Sequence, residues 1–174
     1  FIAPNGSLTV QTQTAHILSL QFGLVPEAHR PQIVQGLLKL LEKEDGHLVT
    51  GFMGTPYFTH VLSDNGCLNA AYALLLKEDF PSWLYQIKMG ATTIWEHWDG
   101  IKPDGSMWSP DMNSLNHYAY GSIGAWMYRA FGGLSPLAPG WARALVYPRI
   151  GGGLEHARFA YESVYGAYEC KWVL

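Results

Sequence analysis

The spacing of apolar residues changes once along this chain, near residue 135, and that change limits the fold more than any other feature. Before it, apolar residues recur at three- and four-residue intervals in segments closed by glycine, the pattern of one-faced helices. After it, the runs are short and alternate, as strands do. The clearest helix is expected over residues 26–45. Ile33, Val34, Leu37, Leu38 and Leu41 form one face, Gln32, Gln35, Lys39, Glu42 and Lys43 the other, and Pro26 suits the first turn. Residues 7–24 read as an earlier helix stopped at Gly23, with a polar, exposed start at Gln11, Thr12, Gln13 and Thr14. Residues 47–57 read as a connector, 58–62 as a short helical turn, 68–77 as a helix, and 81–89 as a short helix stopped by Gly90.

Residues 113–131 read as the last long helix. Gly121 and Gly124 inside it cost helix propensity and would mark a close backbone approach. Downstream, residues 144–147, 157–162 and 168–173 read as strands. Tyr165-Gly166 reads as a turn and Gly151-Gly152-Gly153 as a flexible one. The last strand is expected to lack a partner within so short a segment. The fold class expected is mainly α: a helical domain over 1–135, built from helical pairs, then the opening strands of a β domain over 136–174.

The most chemically loaded stretch is residues 90–105. In Thr92-Thr93-Ile94-Trp95-Glu96-His97-Trp98-Asp99-Gly100 one carboxylate stands between two tryptophans. Indole faces suit the C–H surface of a sugar ring, and a carboxylate can bind hydroxyls or activate water. Thr92, Thr93 and Ile94 favour extended backbone, which would point His97 away from the side served by Glu96. Trp95 and Trp98 then need not both line a site. Asp99 before Gly100 and Asp104 before Gly105 read as turn pairs.

Composition narrows the function. Aromatic residues make up 14% of the chain and charged residues also 14%, below the usual ~25% for soluble domains. That balance favours either a large aromatic pocket or surfaces that further chain covers. The net charge of −3 and the scattered Lys and Arg give no basic stripe, so nucleic acid is not an expected partner. No apolar run approaches membrane-spanning length. No His-Glu-x-x-His spacing exists, so no metal ligation and no cofactor are expected. No Gly-x-Ser-x-Gly or other nucleophile constellation is present. Cys67 and Cys170 are expected to be buried free thiols. The first residues lack a signal-peptide pattern and an initiator Met, so the chain is expected to begin mid-protein or after processing, and no location is assigned.

Several segments together resemble one family: Gly51-Phe52-Met53-Gly54-Thr55-Pro56-Tyr57, Val61-Leu62-Ser63-Asp64-Asn65-Gly66, residues 72–79 and Pro81-Ser82-Trp83. The resemblance continues through Gly90-Ala91-Thr92-Thr93-Ile94-Trp95-Glu96, Trp98-Asp99-Gly100, Met112-Asn113-Ser114, Asn116-His117-Tyr118-Ala119-Tyr120-Gly121 and Gly151-Gly152-Gly153. In one register over essentially the whole chain, the sequence resembles the C-terminal part of a bacterial alpha-L-rhamnosidase of glycoside hydrolase family 78. The resemblance implies the last helices of an (alpha/alpha)6 barrel followed by the start of a C-terminal β-sandwich. It implies inverting hydrolysis of terminal alpha-L-rhamnose from a glycoside or polysaccharide, with Glu96 as general base and His117 contacting the sugar. The family's general acid lies in an earlier Asp-Glu-Arg segment. This chain has none and is expected to need the remainder of its parent chain for activity. Two other readings stay open: a non-catalytic carbohydrate-binding module, and a helical-barrel glycosidase of the glucoamylase or trehalase kind.

Overall fold

The computed structural model describes residues 1–174, which are helical with a few antiparallel strands in two small sheets. The chain divides into two compact units, Phe1–Ser122 and Ile123–Leu174.

The first unit holds five α-helices: α1 (Gln13–Gln21), α2 (Arg30–Lys43), α3 (Thr55–Asp64), α4 (Leu68–Leu75) and α5 (Trp83–Lys88). Two 3-10 turns, Glu27–His29 and Ala119–Ser122, complete it. α1 packs on α2 and α3, and α3 packs on α4. Ile17, Leu20, Ile33, Leu37, Phe58, Leu62, Tyr72 and Leu74 are buried at the centre. Burying each such aliphatic side chain contributes about 1.5–3 kcal/mol before entropy is counted.

The first helix is shorter than its sequence pattern suggests. The Thr12 hydroxyl accepts from the Ala15 N–H at 3.2 Å and caps α1 there. Residues before Thr12 are held otherwise, with Asn5 bonded to Ser7 and Ile2 bridged to Leu8. The exposed polar start is also corrected at one position. Gln13 is buried, donates to the His47 carbonyl at 3.0 Å and accepts from the Val49 N–H at 2.8 Å. A buried amide is tolerated because both of its ends are bonded.

α3 begins at Thr55, inside the stretch expected to be connector, because Pro56 occupies the first turn where its missing N–H costs nothing. α5 is capped by the Ser82 hydroxyl, which accepts from the Tyr85 N–H at 3.0 Å.

The second unit holds α6 (Ile123–Arg129) and strands β1 (Leu134–Pro136), β2 (Ala144–Val146), β3 (His156–Ser163) and β4 (Gly166–Val173). β1 pairs antiparallel with β2. β3 pairs antiparallel with β4 around Val164 and Tyr165, with Phe159 opposite Cys170 and Ala157 opposite Trp172. The expectation of an unpartnered last strand is therefore wrong: the hairpin supplies the partner. Trp172 Nε1 donates to the Phe131 carbonyl at 2.7 Å, and Phe131 meets Phe159 edge to face at 5.2 Å. Both cysteines are free; Cys170 is buried and Cys67 half-buried. No helix is long and apolar enough to cross a membrane.

The long helix expected over residues 113–131 is mostly absent. Residues 113–118 are irregular, a 3-10 turn covers Ala119–Ser122, and α6 supplies only the last part. The two glycines do not mark a close backbone. A Cβ at Gly121 would make only an ordinary contact with Ile94, and one at Gly124 would meet nothing.

Candidate active site

Residues 92–94 form no strand, contrary to their β-branched composition. Their backbone is instead tied to the irregular segment that replaces the expected helix. The Glu96 N–H donates to the Ser114 carbonyl at 2.9 Å, and the His117 N–H donates to the Ile94 carbonyl at 2.7 Å. The Thr93 hydroxyl donates to the Leu115 carbonyl between them. The two segments run in opposite directions, so Glu96 and His117, far apart in sequence, sit on adjoining stretches of backbone. The Ser114 and Leu115 carbonyls and the His117 N–H are thus engaged across the gap and are not spent on helical bonds.

The Trp95 ring is buried beneath Gly100, where a Cβ would stand 3.1 Å from its six-membered ring. Only glycine fits there without displacing the indole. Gly100 also closes a turn, its N–H donating to the His97 carbonyl at 3.1 Å. The His97 ring stacks on Trp108, centroids 3.6 Å apart.

An aromatic chain joins the two segments. Trp98 meets Trp83 edge to face at 5.2 Å and stacks on Tyr120 at 3.9 Å. Tyr120 meets Phe52 edge to face at 5.3 Å, and Phe52 stacks on His117 at 4.8 Å. Tyr118 stacks on His117 and is 87% exposed, so one end of this chain of rings is open to solvent. Nothing in the sequence alone gives Tyr120 or Phe52 a role. Their part depends on contacts between segments, and only their place in the family motifs marked them.

Glu96 is half-buried, and its carboxylate has no hydrogen-bond or ion-pair partner within the chain. Burial, and next the charge of Glu96, hold the Tyr120 phenol above its usual pKa, which puts that carboxylate within electrostatic reach of the ring. Asp104 differs: its carboxylate accepts from the Ser106 hydroxyl at 2.7 Å and N–H at 2.9 Å, and these bonds hold it below the usual range. His117 Nδ1 accepts from the Ala119 N–H at 3.3 Å, capping the 3-10 turn. A neutral imidazole accepting at Nδ1 carries its proton on Nε2, which is left as a donor. The site thus offers the Glu96 carboxylate, one imidazole N–H and the exposed rings of Phe52 and Tyr118.

Aromatic faces beside a carboxylate can accommodate a sugar ring. Residues 1–131 match the family described as bacterial alpha-L-rhamnosidase 6 hairpin glycosidase domain, and residues 133–174 match the bacterial alpha-L-rhamnosidase C-terminal domain. The chain belongs to the bacterial alpha-L-rhamnosidase family. It is 44% identical over 99% of its length to an alpha-L-rhamnosidase of Streptomyces avermitilis, and 39% identical over 94% to one of Alteromonas sp.. It spans 17% and 18% of those relatives, about a sixth of each. Among solved structures, the Streptomyces avermitilis alpha-L-rhamnosidase complexed with L-rhamnose superposes with a TM-score of 0.96 over all of this chain and 17% of its own. The Aspergillus terreus alpha-L-rhamnosidase superposes with a TM-score of 0.95 at 39% identity, over 99% of this chain and 20% of its own.

Proposed function

We propose that this chain is the base-bearing segment of a longer inverting alpha-L-rhamnosidase, in which Glu96 activates the attacking water. In that reading residues 1–135 close an (alpha/alpha)6 barrel and residues 136–174 open its C-terminal β domain. The substrate is a glycoside or polysaccharide ending in alpha-L-rhamnose. The observation that carries the proposal is the Glu96 carboxylate: half-buried, fixed through its backbone, and committed to no partner in the chain.

Inversion requires a second carboxyl group about 6.5–9.5 Å away, protonated and placed to donate to the leaving oxygen. No Asp-Glu-Arg segment exists among these 174 residues, so the acid comes from elsewhere in the longer chain. Glu96 removes a proton from water as the water attacks the anomeric carbon on the face opposite the departing oxygen. His117 Nε2–H donates to a sugar oxygen, and the Phe52 and Tyr118 rings give that sugar an apolar wall.

The test is Glu96→Gln in the full-length polypeptide carrying this segment, assayed on para-nitrophenyl alpha-L-rhamnoside. General-base catalysis contributes about 10²–10⁴-fold, so kcat is expected to fall by roughly that factor while circular dichroism stays unchanged. Proton NMR of the wild-type reaction should show the β-anomer of rhamnose first. Near-normal turnover in the variant, or first release of the α-anomer, would remove Glu96 as an inverting base.

A further inference from the structure

α5 is only six residues long, yet it bonds to both segments of the site. Trp83 Nε1 donates to the Tyr120 carbonyl at 2.9 Å. Three residues on, and so on the same side of the helix, the Gln86 side chain reaches the stretch around Glu96. Its Nε2 donates to the His97 carbonyl at 3.1 Å, and its Oε1 accepts from the Trp95 N–H at 3.4 Å. The N–H of the residue before Glu96 and the carbonyl of the residue after it are thus held by the two ends of one buried amide. Gln86 is 2% exposed, and it touches the backbone of the segment without engaging the carboxylate.

We propose that Gln86 is a positioning residue for the general base: it fixes the direction of the Glu96 side chain by clamping the backbone on both sides of it. The proposal rests on the assignment of Glu96 as base. Catalytic groups held loosely lose rate steeply, because a small misplacement spoils the attack geometry. A helix that bonds to the Tyr120 segment through Trp83 and to the Glu96 segment through Gln86 sets the two in register. An aliphatic side chain of the same size at position 86 would fill the space and release the clamp.

The experiment is a double-mutant cycle in the full-length polypeptide carrying this segment, with para-nitrophenyl alpha-L-rhamnoside as substrate. Gln86→Met is expected to lower kcat by roughly 10–100-fold with KM held within about twofold. In the Glu96→Gln background the same change is expected to cost less than about twofold, because a residue acting through Glu96 has nothing left to position. Multiplying losses, a loss carried by KM, or a kcat within about twofold of wild type would each overturn the proposal. If Gln86→Met fails to fold, Gln86→Glu carries the test. Its protonated form can still donate to His97 and accept from Trp95, so activity is expected on the acid side and a new fall as that carboxyl ionises. A pH profile parallel to wild type would overturn the clamp. Near-normal turnover in Glu96→Gln alone would bring down the base assignment and the positioning role together. A large Glu96 effect with multiplying losses would bring down the positioning role only.

Discussion

Trp98 and Tyr120 lie face to face, ring centroids 3.9 Å apart and planes 10° apart. Both are buried, and Trp83 closes the edge of the stack. Trp98→Ala is expected to cost about 3–5 kcal/mol through lost burial and the cavity left behind. Tyr120→Phe keeps the rings and removes only the hydroxyl, so its melting temperature should stay within about 2–4 °C of wild type. Thermal melting of the two variants in the full-length polypeptide checks the contrast. Equal losses would mean that the stack is not what stabilises this corner.

His117 offers Nε2–H because the Ala119 N–H occupies Nδ1. If that donor meets the sugar, His117→Ala should lower kcat/KM by about 2–12-fold, the range expected for one lost neutral hydrogen bond of about 0.5–1.5 kcal/mol to a ligand. Steady-state kinetics on the aryl rhamnoside measures it. An unchanged kcat/KM would leave His117 only its cap on the 3-10 turn and its stack on Phe52.

Glycine to alanine inside a helix is ordinarily stabilising by about 1 kcal/mol. Gly36 in α2 should show the opposite sign. A Cβ there would stand 2.8 Å from Nε2 of His16, whose ring is buried and held by its Nδ1, 2.9 Å from the Thr12 carbonyl. Gly36→Ala is expected to destabilise by about 1–3 kcal/mol, as overpacking does. Amide hydrogen exchange over α1 and α2 is the direct readout; slower exchange in the variant would contradict the packing.

The same histidine gives a pH dependence. Burial pushes the His16 pKa down, against a smaller opposite effect of its bond to Thr12. The unfolded chain, with a histidine pKa of about 6.5, then binds the proton better than the folded one. The stability His16 contributes as a neutral ring is present above about pH 6.5 and is lost as pH falls below it, by at most about 1.4 kcal/mol per pH unit. Hydrogen exchange of α1 should lose protection between about pH 7 and 5, and His16→Gln should flatten that slope. Equal slopes in the two proteins would show that other groups set it.

How much of this was legible in the sequence varies by element. α2 was clear because one-faced periodicity is a property of a single segment. α3 was under-read because Gly54 and Pro56 look like breakers, although proline in a first turn is a start signal. Residues 113–118 were over-read as helix because their real partners, Ile94, Thr93 and Glu96, lie in another segment. The hairpin's turn is visible at Tyr165-Gly166, but the mutual pairing of β3 and β4 depends on contacts across it. At the site, Glu96 and His117 came from the resemblance, and the structure sets them on adjoining backbone. Gln86 left no mark: one glutamine between Tyr85 and Ile87 looks ordinary until its distant partners are known.

The stretch around Glu96 has no hydrogen-bonded regularity of its own and takes its shape from α5 on one side and residues 114–117 on the other. A protein engineer who grafted only the short Trp-Glu-His-Trp motif onto another helical scaffold would move the letters and leave the shape behind. The smallest portable unit runs from Trp83 to Tyr120, helix included. Within it, variation is dearest at the residues whose backbone bonds meet.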